Sequence, residues 1–318
     1  MERRSLIFGS LAAILLLAPP VLNPYWVDVL NNVGLYAILG LSLNLIVGHA
    51  GLFNLGHAAF YAVGAYTAAI LNTRFHVPVL WLLPACALSS GLFAAIIARP
   101  IIHLRGDYLC IVTIGVGEIV RIALLNNVFG ITGGVNGIFG IDRPTIFGLL
   151  IRDPHAFFYL IWGFVAFTVF LFHRLENSRF GRALNYLRED EVAAEGSGID
   201  VGHYKLASFV VGAAWAGMAG DIFAAKMTII SPESFSFWES VLMFTLVILG
   251  GSGSIPGVLL GAFLIAGLPE VFREFADARM LVFGAAMVGM MIFRTEGILP
   301  PRPRTYREVE APAAEGGR

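Results

Sequence analysis

Ten apolar stretches divide this chain, at 5–22, 26–47, 57–72, 79–98, 108–127, 156–173, 206–225, 238–250, 256–271 and 279–293. Most approach the ~20 residues that a helix needs to cross about 30 Å of hydrocarbon. Several are short, so eight to ten are expected to span. Among 318 residues 57% are hydrophobic and only 14% charged, and mean hydropathy is +0.77. No ordinary soluble domain has that balance. The expected fold class is an all-α polytopic membrane protein with glycine-rich segments that break helices or re-enter the bilayer. Cys86 and Cys110 both fall in apolar stretches, which leaves no disulfide framework and no Cys-x-x-Cys metal site; both read as small core residues.

One region cannot live in lipid. From Arg174 to Lys205 the chain carries Arg174, Arg179, Arg182, Arg188 and Lys205 with Glu176, Glu189, Asp190, Glu191, Glu195 and Asp200, too many ions to insert at a few kcal/mol each. This island must be an aqueous loop. Residues 181–195 are rich in helix formers, Leu184, Leu187 and Val192 are spaced as one short apolar face, and Gly196 and Gly198 are natural stops. The pattern predicts a short surface helix between two spans, a shape suited to docking a soluble partner.

Starting the first span from the cytoplasm and counting ten, fourteen Lys and Arg residues fall inside and six outside, with Arg121 within a span. That asymmetry follows the positive-inside rule and places both termini and the island in the cytoplasm. Met1-Glu2-Arg3-Arg4 ahead of the run Leu6 to Ala18 reads as a signal peptide or a first span. The following Pro19-Pro20-Val21-Leu22 offers no small-x-small cleavage site, which favours an uncleaved helix. Residues 1–299 read as one transmembrane domain with 174–205 as its cytoplasmic loop, and 300–318, rich in Pro and Gly, as a disordered tail.

Several chemistries are absent. The chain has no GxxxxGK[ST] loop, no His-Glu-x-x-His and no Gly-x-Ser-x-Gly elbow, and no basic stripe for nucleic acid. No cofactor and no metal is implied, and no catalytic residue. Any work must be driven by an ion gradient or by another protein. Among polar residues inside spans, Glu118 and Arg121 are three apart on one helix face and can neutralise each other. They read either as part of a polar pathway or subunit contact, or as an internal pair near the outer surface. Asn44, His49, Asn54 and His57 flank Gly48-His49-Ala50-Gly51 and either line a cavity or brace a broken helix, with bracing preferred. Gly250-Gly251-Ser252-Gly253 forms a second cluster, also followed by a small-residue helix. The two clusters read as close helix approach or as a trace of duplication. The segment 126–154, with Thr132-Gly133-Gly134-Val135-Asn136-Gly137, reads as an outer lid or dock, or as a solvated connector.

Five runs then carry a resemblance: LSLNLIVGHAGLFNLGHAAFYAVGAYTAA (41–69), LRGDYLCIVTIGVGEIVRI (104–122), ITGGVNGIFGI (131–141), LENSRFGRALNYLREDEVAAEGSGID (175–200) and SPESFSFWESVLMFTLVILGGSGSIPGVLLGA (231–262). Together they resemble the permease subunit of branched-chain amino acid ABC importers, the M type and not its H-type sister. The resemblance implies a bacterial inner-membrane importer in which this chain pairs with an H-type permease. It also implies two cytoplasmic ATP-binding subunits, which bind the ATP, and a substrate-binding protein outside. The island then corresponds to the coupling loop with its EAA-like motif, Glu191-Val192-Ala193-Ala194-Glu195 with Gly198. In that reading Ala193, Ala194 and Gly198 allow close packing against the ATPase, and Arg188, Glu189, Asp190 and Glu191 set polar register. The trailing Ile-x-Leu-Pro of the general motif is missing after Gly198.

Three alternatives remain beside this reading. One is a urea or short-amide importer permease. Another is a gradient-driven secondary transporter, for which Glu118 is the intramembrane carboxylate put forward. The third is an intramembrane enzyme, for which no catalytic set is evident.

Overall fold

The computed structural model describes residues 22–104, 106–146, 149–271 and 297–301, together with 284, 285, 288, 289 and 292. All but Leu22 of the expected first span, two thirds of the last one and the tail beyond Pro301 lie outside them. Within them, each of the other eight apolar stretches is a helix within a few residues of its expected limits. These are α1 (Pro24–Asn44), α2 (His57–Phe75), α3 (Val79–Ile101), α4 (Asp107–Leu125), α5 (Pro154–Glu176), α8 (Val201–Met227), α9 (Phe237–Gly250) and α10 (Ile255–Ala262). The island supplies α6 (Arg179–Glu189) and α7 (Glu191–Gly196), and α11 (Leu268–Val271) follows α10. Among the described residues six helical segments are long and apolar enough to cross a membrane, so the all-α polytopic class holds.

Starts are written locally. Asn23 and Asp153 are extended, and each is followed by a proline at the first helical position, where the missing N–H costs nothing. Two helices end or continue in wide π turns: Leu45–His49 extends α1 and Phe263–Gly267 extends α10. After the first of these, residues 50–56 are irregular before α2 begins. This is the break that the first glycine cluster predicted.

The core is built from small residues. A Cβ on Gly64 would lie 2.2 Å from the Gly217 carbonyl oxygen, and one on Gly217 would lie 2.4 Å from Ser90 Oγ, so α2, α3 and α8 touch nearly backbone to backbone. Gly40 of α1 meets Leu246 and Val258, and Gly257 and Gly261 seat α10 on α9. Close approach is therefore what the small residues provide. Cys86 is fully buried as expected, whereas Cys110 is only partly covered, because α4 stands at the periphery. Only Leu109 and Thr113 of α4 are buried.

α1 fixes the two ends of the molecule. Its last turn meets the island through His49 and Asn185. At its start Asn31 donates to the Pro154 carbonyl, and Asp28 pairs with Lys226 at the end of α8 at 2.9 Å. At that far end β1 (Ile138–Phe139) pairs antiparallel with β4 (Ile229–Ile230), and β2 (Thr145–Ile146) with β3 (Leu149–Leu150). The segment 126–154 is thus more organised than a solvated connector. Asn127 Oδ1 accepts from the N–H of Thr132 and of Gly133, and β1 staples the segment to the exit of α8.

Candidate functional site

The island is a series of capped helix starts. Ser178 Oγ accepts from Gly181 N–H at 3.3 Å to begin α6. Asp190 Oδ1 accepts from Val192 and Ala193 N–H at 2.9 and 3.0 Å to begin α7, and Asp200 Oδ1 accepts from His203 N–H at 3.0 Å to begin α8. Each side chain satisfies donors that the first turn leaves orphaned. α7 closes through Gly198, whose φ of +82° favours glycine. Ile199 N–H then donates back to the Ala194 carbonyl at 3.1 Å, a Schellman-type ending.

The single helix expected over 181–195 is thus two. Asp190 is extended (φ −151°, ψ 111°) and turns the chain between them, so the apolar face does not carry through. Leu184 and Leu187 are buried, but Val192 is 71% exposed.

The expected coupling residues divide into two groups. Arg188, Glu189, Asp190, Val192, Ala193, Glu195 and Gly198 are all exposed, although Arg188 and Asp190 also bond within the chain. Ala194 is buried against the chain itself, Glu191 forms an ion pair with the buried Lys205, and Asp190 is spent on capping. The aliphatic stem of Arg188 lies on Gly51, and its Nη1 donates to the Gly48 carbonyl at 2.5 Å. An open cleft of about 450 Å³ beside α7 is lined by His103, Glu191, Glu195, Asp200 and Lys205.

The four polar residues around the first glycine cluster each make hydrogen bonds within the chain. Asn44 Oδ1 accepts from Gly253 N–H at 2.7 Å and so joins the two glycine clusters. His49 Nδ1 lies 3.3 Å from Asn185 Oδ1 of α6. His57 is fully buried, with Nε2 at 2.8 Å from Ser42 Oγ. The Ser42 hydroxyl donates to the Leu39 carbonyl, so its oxygen receives the imidazole Nε2–H, and Nδ1 is left to accept from Asn54 Nδ2 at 3.4 Å. Asn54 Oδ1 in turn accepts from Gly56 N–H. Among the described residues no group of three or more His, Cys, Asp or Glu is placed to hold a metal ion.

Glu118 and Arg121 pair as their spacing predicts, at 2.9 Å, and Arg121 also reaches Glu233 at 3.6 Å, tying α4 to the turn before α9. Glu118 is not the sole intramembrane carboxylate. Asp221 of α8 is wholly buried, with neither oxygen hydrogen-bonded, and Glu239 of α9 accepts from the Tyr36 hydroxyl at 3.0 Å. Both lie in expected spans and are visible by listing the acids within them. At the far end an open cleft of about 680 Å³ is lined in part by His76, Asp142, Arg143 and Arg152.

With this architecture in view, comparison with known proteins is decisive at family level. The family described as the branched-chain amino acid transport system permease component matches residues 25–292. The high-affinity branched-chain amino acid transport system permease protein LivM of Escherichia coli K12 is 41% identical over 332 residues, covering 96% of this chain and 78% of the relative. The probable LivM of Methanocaldococcus jannaschii is 27% identical, covering 85% and 92%. The sister permease LivH of E. coli K12 is 25% identical, covering 83% and 91%, so the M-type resemblance holds. No solved structure matches. Six described helical segments long and apolar enough to cross a membrane, small-residue packing and a match from residue 25 to 292 lead to one conclusion: the chain belongs to the branched-chain amino acid transport system permease family.

Proposed function

We propose that this chain is a non-catalytic transmembrane permease subunit of an ATP-driven importer for branched-chain amino acids. It forms half of a translocation pathway with an H-type companion in a bacterial inner membrane. Two ATP-hydrolysing subunits dock on the island in the cytoplasm, and a binding protein delivers substrate at the opposite face, beside the cleft that holds Arg143 and Arg152. The observation that carries this reading is the family match over 25–292. The island adds physical support, since α7 presents Val192, Ala193, Glu195 and Gly198 to solvent on a helix anchored from behind. Closure of the paired ATPases would move this loop and, through α5 and α8, open the cavity to the other side as a rigid-body switch.

The test is purification of the tagged chain from its native membrane in mild detergent, with mass spectrometry of what accompanies it and uptake of labelled leucine and urea in parallel. Two ATP-binding subunits, a second permease and leucine uptake are expected. Urea uptake would move the assignment to the amide branch of the family. Repeated recovery of the chain alone, in lipid nanodiscs as well, would sink the reading and bring forward a gradient-driven carrier built on Asp221. Gly198→Trp places a large side chain where a Cβ meets nothing within 4 Å, at a backbone cost of about 1–3 kcal/mol. Membrane insertion should survive while uptake is lost; normal uptake would argue against docking at α7.

A further inference from the structure

The last carbonyls of a helix have no intrahelical donor and sit at the negative end of its dipole. At the π-turn exit of α1, the Gly48 carbonyl receives its hydrogen bond from Arg188, 140 residues away in sequence. The same guanidinium is flanked by the link between α9 and α10, because a Cβ on Gly253 would lie 3.0 Å from Arg188 Nη1 and 3.2 Å from the Gly48 oxygen. Asn44 already binds Gly253 to α1, and a Cβ on Gly48 would come within 2.1 Å of Asn44 Oδ1 and 2.4 Å of Gly253 N. Residues 298 and 299 close the same junction by donating to the Leu249 and Gly250 carbonyls at 3.0 Å each. Two broken helices and the chain's last described segment therefore form one knot, and Arg188, an exposed island side chain, reaches it through its stem and Nη1. Leu184 and Leu187 hold α6 by apolar contact, which is non-directional. Arg188 adds a directional link, and close-packed interiors transmit such displacements.

We propose that Arg188 is not an ATPase contact but a positioning residue, which makes the island and the exits of α1 and α9 move as one body. The proposal rests on the ATP-driven importer reading. The test uses the complete importer reconstituted in liposomes with substrate-loaded binding protein. Its variants are Arg188→Gln, Arg188→Lys and, as a control on an exposed arginine outside the island, Arg99→Gln at the end of α3. Two quantities are read: retention of the ATPase subunits by the purified complex, and substrate imported per ATP hydrolysed.

Arg188→Gln should retain the ATPase subunits while the import ratio falls about tenfold. Arg188→Lys should restore part of the ratio through its single ammonium, and Arg99→Gln should leave it unchanged. A folding defect lowers both quantities, whereas a broken link lowers only the ratio. If Arg188→Gln does not accumulate, Arg188→Met keeps the stem on Gly51 without the donor and is read in the same way. Loss of ATPase subunits from the Arg188 variants, an unchanged ratio, or an equal fall in Arg99→Gln would each overturn the proposal. Wild-type complexes without ATPase subunits would overturn the importer reading itself.

Discussion

α6 and α7 are neighbours in one charged loop, yet they are opposite kinds of helix. α6 buries Ala183, Leu184 and Leu187 and sends Arg188 into the junction of two broken helices. α7 buries only Ala194 and leaves Val192 and Ala193 in solvent. One is held against the chain and the other is open to solvent, with Asp190 dividing them. The docking role proposed for this loop needs both, because a surface that moves without its anchor transmits nothing to the membrane helices.

Substitutions can break or sharpen this contrast. Leu184→Ala removes a fully buried side chain from the anchor and should cost about 2–5 kcal/mol, seen as a lowered unfolding midpoint in detergent. A loss no greater than that at Val192 would erase the distinction. Asp190→Ala deletes the cap that begins α7 and should cost about 0.5–2 kcal/mol. Backbone amide exchange should quicken in α7 while α6 stays protected, and equal quickening in both would mean that they fold as one unit. Val192→Ala should change stability by less than about 0.5 kcal/mol yet weaken retention of the ATPase subunits in pull-down from membranes. If it destabilises the chain and leaves retention intact, α7 is not the presenting half.

Much of this was legible in sequence, because hydrocarbon thickness acts on composition alone. Eight apolar runs are helical where the sequence places them, and six helical segments among the described residues are long and apolar enough to span. The pairing of Glu118 with Arg121 follows from a spacing of three on a helix. The error at Val192 had a local remedy, since an Asp followed by Glu-Val-Ala-Ala is itself a helix-start signal and forbids carrying one apolar face across it. Asp221 and Glu239 also needed only a count of acids within spans. The partners of Arg188 and Asn44 are of another kind. They are distant in sequence, at 140 residues for Arg188 and 209 for Asn44, and nothing in local pattern encodes which backbone group a polar side chain will meet.

The irregular backbone ahead of α2 has a consequence for how the protein is made. Two N–H groups there, one in the break and one in the first turn of α2, are satisfied by side chains that emerge later from the ribosome. Leu55 donates to Thr113 Oγ1 and Ala58 to Ser240 Oγ, 58 and 182 residues downstream. Until α9 has been synthesised, the first turn of α2 lacks the acceptor that Ala58 meets in the finished protein, and lipid cannot replace it. The order of synthesis therefore makes completion of α9 a condition for closing the start of α2 in its final form.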